Sequence, residues 1–192
     1  MIKQSNNYIR KLDFKEVGLI KRGWGQNVLY SYPIHSKVDI FEPKNLKILK
    51  AAILNAMKSE EFMRARIVKS GESDYYFERF DMDTYNFENV KILRLNSPTE
   101  TSLETKEYIA KLLIDYCAIN EINPDREDKI PIWKLLIFEA DKNSKIFHVV
   151  GQHHHSLVQG HLGTLNLYKI LKTFELLHQN ESVDYNDTKI YP

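Results

Sequence analysis

Five of the chain's seven histidines, His148, His153, His154, His155 and His161, fall between positions 148 and 161. Imidazole has an ordinary pKa of about 6.5, so near neutral pH it can take up a proton, release one or bind a metal. Three chemistries are open to the cluster. A metal centre needs three or four donors converging on one ion. Successive strand residues point to opposite faces, so His153 and His155 could share an ion that His154 could not reach, and no Cys or carboxylate stands beside them to complete a set; no metal site is expected. The histidines could instead be half-buried hydrogen-bonding residues of the structure or surface. The third chemistry is general-base catalysis, and it rests on the pattern His154-His155-Ser156-Leu157-Val158-Gln159-Gly160, placed between a strand and an amphipathic helix.

Other residues that could carry chemistry give weaker signals. Ser156 adjoins His155 but lacks the G-x-S-x-G turn that exposes a serine nucleophile. Cys117 is the single cysteine, which excludes a disulfide framework and a cysteine-based zinc cluster, and its place beside an apolar helical stripe makes it an inert core residue. With seven glycines scattered singly, neither a phosphate-binding loop nor a dinucleotide fingerprint is present. Tyr75, Tyr76, Phe77, Phe80, Tyr85 and Phe87 form an aromatic segment that is read as sheet packing rather than as a binding platform.

Composition narrows the classes further. The 27 Lys plus Arg against 26 Asp plus Glu leave a formal charge of +1, so no global field draws nucleic acid. Hydrophobic residues make up 43% and charged ones 28%, the balance of a chain that folds in water. Residues 1–22 lack the apolar core of a signal peptide, and no apolar run of about 18 residues occurs anywhere, so no membrane span and a cytoplasmic location are expected. Sequons at Asn180 and Asn186 would matter only in a secreted protein.

The elements that must position the histidines read as follows. The aromatic and β-branched run 24–34 is a strand leading to a second short segment near Val38–Ile40. Pro43 suits the first position of a helix over 44–58, whose stripe is Leu46, Leu49, Ile53 and Met57. A hairpin follows, Met63–Lys69 and Asp74–Phe80 around a Ser-Gly-Glu-Ser turn, then a strand near Val90–Leu95. A second helix over 102–119 begins at the candidate N-cap Ser102. Two strands, Trp133–Glu139 and Lys145–Gln152, precede a last helix over 160–178. This order lacks the strict alternation of a doubly wound parallel sheet and predicts an α+β fold, a mixed and largely antiparallel sheet with helices packed on it. One domain over 1–192 is expected, with its core over 24–178 and a polar tail or linker over 182–192.

The segment 154–160 resembles the HHxxxDG motif of the chloramphenicol acetyltransferase-like superfamily, which includes condensation domains of nonribosomal peptide synthetases and alcohol O-acetyltransferases. Pro131-Ile132-Trp133 opening a strand upstream is similar to the family's pattern, as is Phe62-Met63-Arg64-Ala65-Arg66 after an apolar helix. The resemblance implies a half-domain of that fold. It also implies acyl transfer from a CoA or acyl carrier-protein thioester to a small-molecule alcohol or amine, with no bound cofactor. His155, the second histidine of the pair, would be the general base, and His154 would support the loop. An imidazole near its ordinary pKa can remove the acceptor's proton as attack occurs, and the helix that follows could favour the developing oxyanion.

The resemblance also defines two departures. The motif's aspartate, which in the family pairs with an arginine, is Gln159 here, followed by Gly160; Arg64 and Arg66, two apart on a predicted strand and so on one face, are the candidate partners. A Gln offers neither the charge nor the two-oxygen fork of a carboxylate. Length is the second departure, because the chain matches the first of the family's two halves. The expected partners are therefore a missing C-terminal half or further copies in a homo-oligomer, together with the thioester donor, an acceptor and, in a synthetase, a carrier protein. The alternative function is a non-catalytic binding or docking module that keeps the fold.

Overall fold

The computed structural model describes residues 8–22, 27–72, 74–79, 81–94, 131–141, 146–154 and 162–179, with residues 107 and 111 as isolated helical positions. The helix expected over 102–119, with Cys117, lies otherwise outside the described residues.

The described residues begin with strand β1 (Tyr8–Lys11) and helix α1 (Phe14–Arg22). Neither was expected, although a capping signal is present: Asp13 Oδ1 accepts from the backbone N–H of Lys15 and Glu16, and the Glu16 carboxylate accepts from the N–H of Asp13. This reciprocal pairing satisfies donors that a helix start leaves orphaned. Strand β2 (Asn27–His35) follows. The segment near Val38–Ile40 is a turn rather than a strand, because Asp39 accepts the Phe41 N–H on its side chain and the Asn45 amide on its backbone oxygen. Helix α2 (Pro43–Ser59) then buries Leu49, Ala52, Ile53, Ala56 and Met57 on one face, as its apolar spacing requires.

A short 3-10 turn, Glu61–Arg64, leads into β3 (Ala65–Ser70), which pairs with β4 (Asp74–Arg79) in the expected hairpin. Gly71 adopts φ 75°, the left-handed conformation for which glycine carries no steric penalty. The remaining strands are β5 (Val90–Leu93), β6 (Trp133–Asp141) and β7 (Ile146–His154), and the final helix is α3 (Leu162–His178).

The strands form two sheets, ordered β1-β4-β3 and β2-β7-β6-β5, where the sequence predicted one. All pairings are antiparallel except β5 against β6, so the mixed, largely antiparallel α+β character holds. Helices α2 and α3 cover one face of the four-stranded sheet, burying Leu135, Ile137, Phe147 and Val149 with Ile53, Leu167 and Ile170 in the main core. The hairpin's Ala65, Ile67, Tyr75 and Phe77 form a second core with Leu12 and Ile132. Tyr75 and Phe77 are thus packing residues, while Tyr76 stacks on Tyr8.

Candidate active site

The motif histidines sit where strand β7 ends, and alternation along that strand separates them. Val149 and His153 face helices α2 and α3, whereas Val150 joins Leu136 and Phe138 in a cluster on the opposite face. His148 shares that opposite face and stacks on Phe138 with ring centroids 5.2 Å apart. Burial holds the His148 pKa below the usual imidazole range, so it is a neutral ring at neutral pH rather than a cation. His154, only 1% exposed, follows His153 and turns to the His148 side.

One residue ties three separate segments to this strand end. Ile132 donates its backbone N–H to Ala65 O at 3.1 Å, and its own oxygen accepts the backbone N–H of His154 at 3.0 Å. The start of β3, the entry to β6 and the end of β7 are therefore joined in a single relay. Beside it, Trp133 Nε1 donates to Met63 O at 2.7 Å, fixing the 3-10 turn against β6. The Trp133 backbone oxygen accepts from Asn89 Nδ2, whose own Oδ1 is held by the Tyr85 hydroxyl. Trp133→Phe should keep the ring's packing but leave the Met63 oxygen unpaired in a buried place, at a cost of about 1–3 kcal/mol in urea unfolding.

The two candidate arginines do not share a strand face as expected. Arg64 belongs to the 3-10 turn, because the Met63 N–H bonds back to Glu60 O at 3.0 Å and delays the extended conformation until Ala65. Arg66 lies in β3 and is held across the hairpin by Glu78, with Nε donating to Oε2 at 2.7 Å. Arg64 Nε is buried and has no hydrogen-bond partner. Of the pair, Arg64 is the one with an unused donor, and it directly precedes Ala65 of the Ile132 relay.

On its helix-facing side, His153 borders a small apolar cavity with an open mouth. Tyr30 from β2, Met63, Trp133 and Leu135 form one side of it, and Leu167 and Ile170 of α3 the other. Tyr30 is part of its wall. Its ring lies 5.8 Å from that of His153, and burial raises its hydroxyl pKa well above the phenol range, so it acts as a neutral group and not as a base. The neighbouring Tyr32 hydroxyl bridges to Thr164 Oγ1 at 3.2 Å, tying β2 to the start of α3. A Cβ on Gly163 would stand 2.6 Å from the Tyr30 ring and 2.7 Å from that of His153, so the first turn of α3 approaches the sheet this closely only with glycine there.

No protein-family model and no curated protein matches the sequence. Solved structures do match. The starter condensation domain of rhizomide synthetase RzmA superposes over 94% of this chain and 40% of its own, with a TM-score of 0.67 at 10% identity. A variant of that domain in complex with C8-CoA matches over 92% of this chain and 37% of its own, with a TM-score of 0.65 at 12% identity. Holo T3CT matches over 91% of this chain and 35% of its own, with a TM-score of 0.58 at 14% identity. The fold is that of a condensation-domain half. At these identities the likeness is one of fold, and the chain spans about two fifths of the length of the domain it matches.

Within this condensation-domain fold, the Ile132 relay joins His154 to Ala65, the residue that follows Arg64 in the chain, and Arg66 stays with Glu78. His155, Ser156, Gln159, Gly160 and His161 lie outside the described residues. Among the described residues no group of three or more His, Cys, Asp or Glu side chains could hold a metal, and no helix is long and apolar enough to cross a membrane. Sequence reasoning missed Tyr30, Asn89, Gly151 and Gly163. The pairing of Tyr30 with Gly151 is a cross-strand register that local pattern does not reveal.

Proposed function

We propose that this chain is the histidine-bearing half of an acyltransferase that moves an acyl group from a CoA or carrier-protein thioester to an alcohol or amine. The observation that carries the reading is the Ile132 relay, which sets the 62–66 segment beside the end of β7, the two places where the sequence resembles the superfamily. Complexes of a structural neighbour with C8-CoA, and with C8-CoA and Leu-SNAC, support acyl donors and acceptors of this type.

In this reading His155 removes the proton from the acceptor's hydroxyl or amine as its oxygen or nitrogen attacks the thioester carbonyl. The carbon–sulfur bond then breaks, and the imidazolium returns the proton to the departing thiolate. His154, buried on the far face of β7, holds the strand end in place. Arg64 uses its free donor on Gln159, and Gly160 lets the chain turn into α3. The cavity beside His153 takes apolar substrate surface out of water. A complementary half, in a continuing polypeptide or in a second copy, supplies the other wall of the channel.

Incubation of the protein with octanoyl-CoA and a panel of amines and alcohols, followed by mass spectrometry, tests this reading. An acceptor-dependent octanoyl amide or ester is expected; background hydrolysis alone would contradict it. Gln159 in place of the motif's aspartate is the feature that favours the second reading, a non-catalytic binding module, in which acyl-CoA binds without turnover.

Position 159 also yields a stability prediction. If Gln159 faces Arg64, Gln159→Asp creates a charge-assisted pair worth about 1–3 kcal/mol. The urea midpoint should rise, and an added Arg64→Gln should cancel the gain. A fall in the midpoint would mean that no arginine lies opposite.

A further inference from the structure

Helix α2 buries two asparagines, Asn45 and Asn55, and they differ in how they are paired. Asn45 donates from its amide to Asp39 O at 2.7 Å. Asn55 is 1% exposed, and neither its Oδ1 nor its Nδ2 has a hydrogen-bond partner among the protein's own groups. An amide withdrawn from water with both ends unpaired is costly, and the buried positions around it, Ala52, Ile53 and Ala56, are apolar. A group from outside the chain must pair it.

Asn55 lines a recess in the groove between α2 and α3, with Ser59 on its own helix and Lys169, Lys172 and Thr173 on the other. The recess has room for about one water, which excludes an organic ligand or a hydrated ion. Its charge calls for no counter-ion either, because Lys169 is paired with Glu60 and Lys172 with Glu175. Apolar cavities stay dry, whereas a polar one holds water where two or more groups can bond it. Such groups are present here. Ser59 Oγ donates to Ala56 O at 3.0 Å and keeps its lone pairs for a donor, and Thr173 contributes a hydroxyl from the opposite helix.

We propose that the α2–α3 groove binds one ordered water, which pairs the Asn55 amide and bridges it to the Thr173 hydroxyl. A water can accept from Nδ2 or donate to Oδ1 and still bond a group on the second helix. The two helices are thereby joined by a polar contact in addition to the apolar packing of Ile53 and Ile170. Helix α3 is also the element whose Gly163 closes on Tyr30 and His153, so the bridge anchors it at a point away from that contact. The water site shares no lining residue with the cavity beside His153 and does not depend on the acyl-transfer reading.

A high-resolution crystal structure of the protein is the direct test, with density expected for a water within hydrogen-bond distance of both the Asn55 amide and Thr173 Oγ1. Absence of that water, or an Asn55 amide bonded to another protein group, would overturn the proposal. A double-mutant cycle reads the same bridge in solution, from the urea midpoints of wild type, Thr173→Val, Asn55→Leu and the double variant. Thr173→Val keeps the β-branched shape and removes the hydroxyl. It should lower the midpoint in wild type and leave it unchanged beside Asn55→Leu, where no amide holds the water. An equal shift in both backgrounds, or no shift in wild type, would also overturn it. The crystallographic arm needs no variant, so it decides the matter even where Asn55→Leu folds poorly.

Discussion

Gly151→Ala should destabilise the protein by about 2–4 kcal/mol, the strain of an overpacked core together with lost burial of an aromatic ring. The reason is geometric. Gly151 pairs with Tyr30 across β2 and β7, and the Tyr30 ring lies directly over it, so a Cβ at 151 would occupy the space of the ring's Cζ and Cε2 atoms. These are ring atoms held between β7 and α3, and rotation toward Gly163 and His153 is closed by the contacts already made there. The tyrosine must leave its seat, opening the cavity beside His153. Because a single contact causes the loss, it should be strongly non-additive: in a Tyr30→Ala background, alanine at 151 should cost less than about 1 kcal/mol. Urea unfolding of the four proteins of this cycle measures the coupling. Additive costs would mean that the ring does not rest on Gly151.

Legibility in the sequence followed the range of the interaction that makes each element. Helix α2 was readable from Leu46, Leu49, Ile53 and Met57 because one turn of helix is a local event, and Pro43 marked its start. The hairpin was readable from a turn whose Gly71 takes a positive φ. Helix α1 was missed although Asp13 and Glu16 carry a capping signal, since its apolar pattern is short. The parallel pairing of β5 with β6 and the division into two sheets depend on contacts between distant segments, such as the bond from Ile132 to Ala65, for which strand composition has no signature.

The site was legible in the same uneven way. The histidine run was visible as a motif, and His153 lies on the side of β7 that faces α3. The arginines were misplaced because a period of two was extended back to residue 63, where the Met63 bond to Glu60 O keeps a helical turn. Tyr30 carried no signal of its own. Its importance comes from two glycines, one across the sheet and one on the following helix, that together make its seat.

The central claim, that His155 is the base and His154 its support, is tested most directly by the initial rate of octanoyl transfer from octanoyl-CoA in His155→Ala and His154→Ala, read beside each variant's melting temperature. Removing a general base costs about 10²–10⁴-fold in rate. His155→Ala should therefore lose activity by that factor with its melting temperature nearly unchanged. His154 is 1% exposed, so His154→Ala should lower the melting temperature while the folded fraction retains most of its rate. A His155→Ala protein that transfers octanoyl groups at the wild-type rate would contradict the claim.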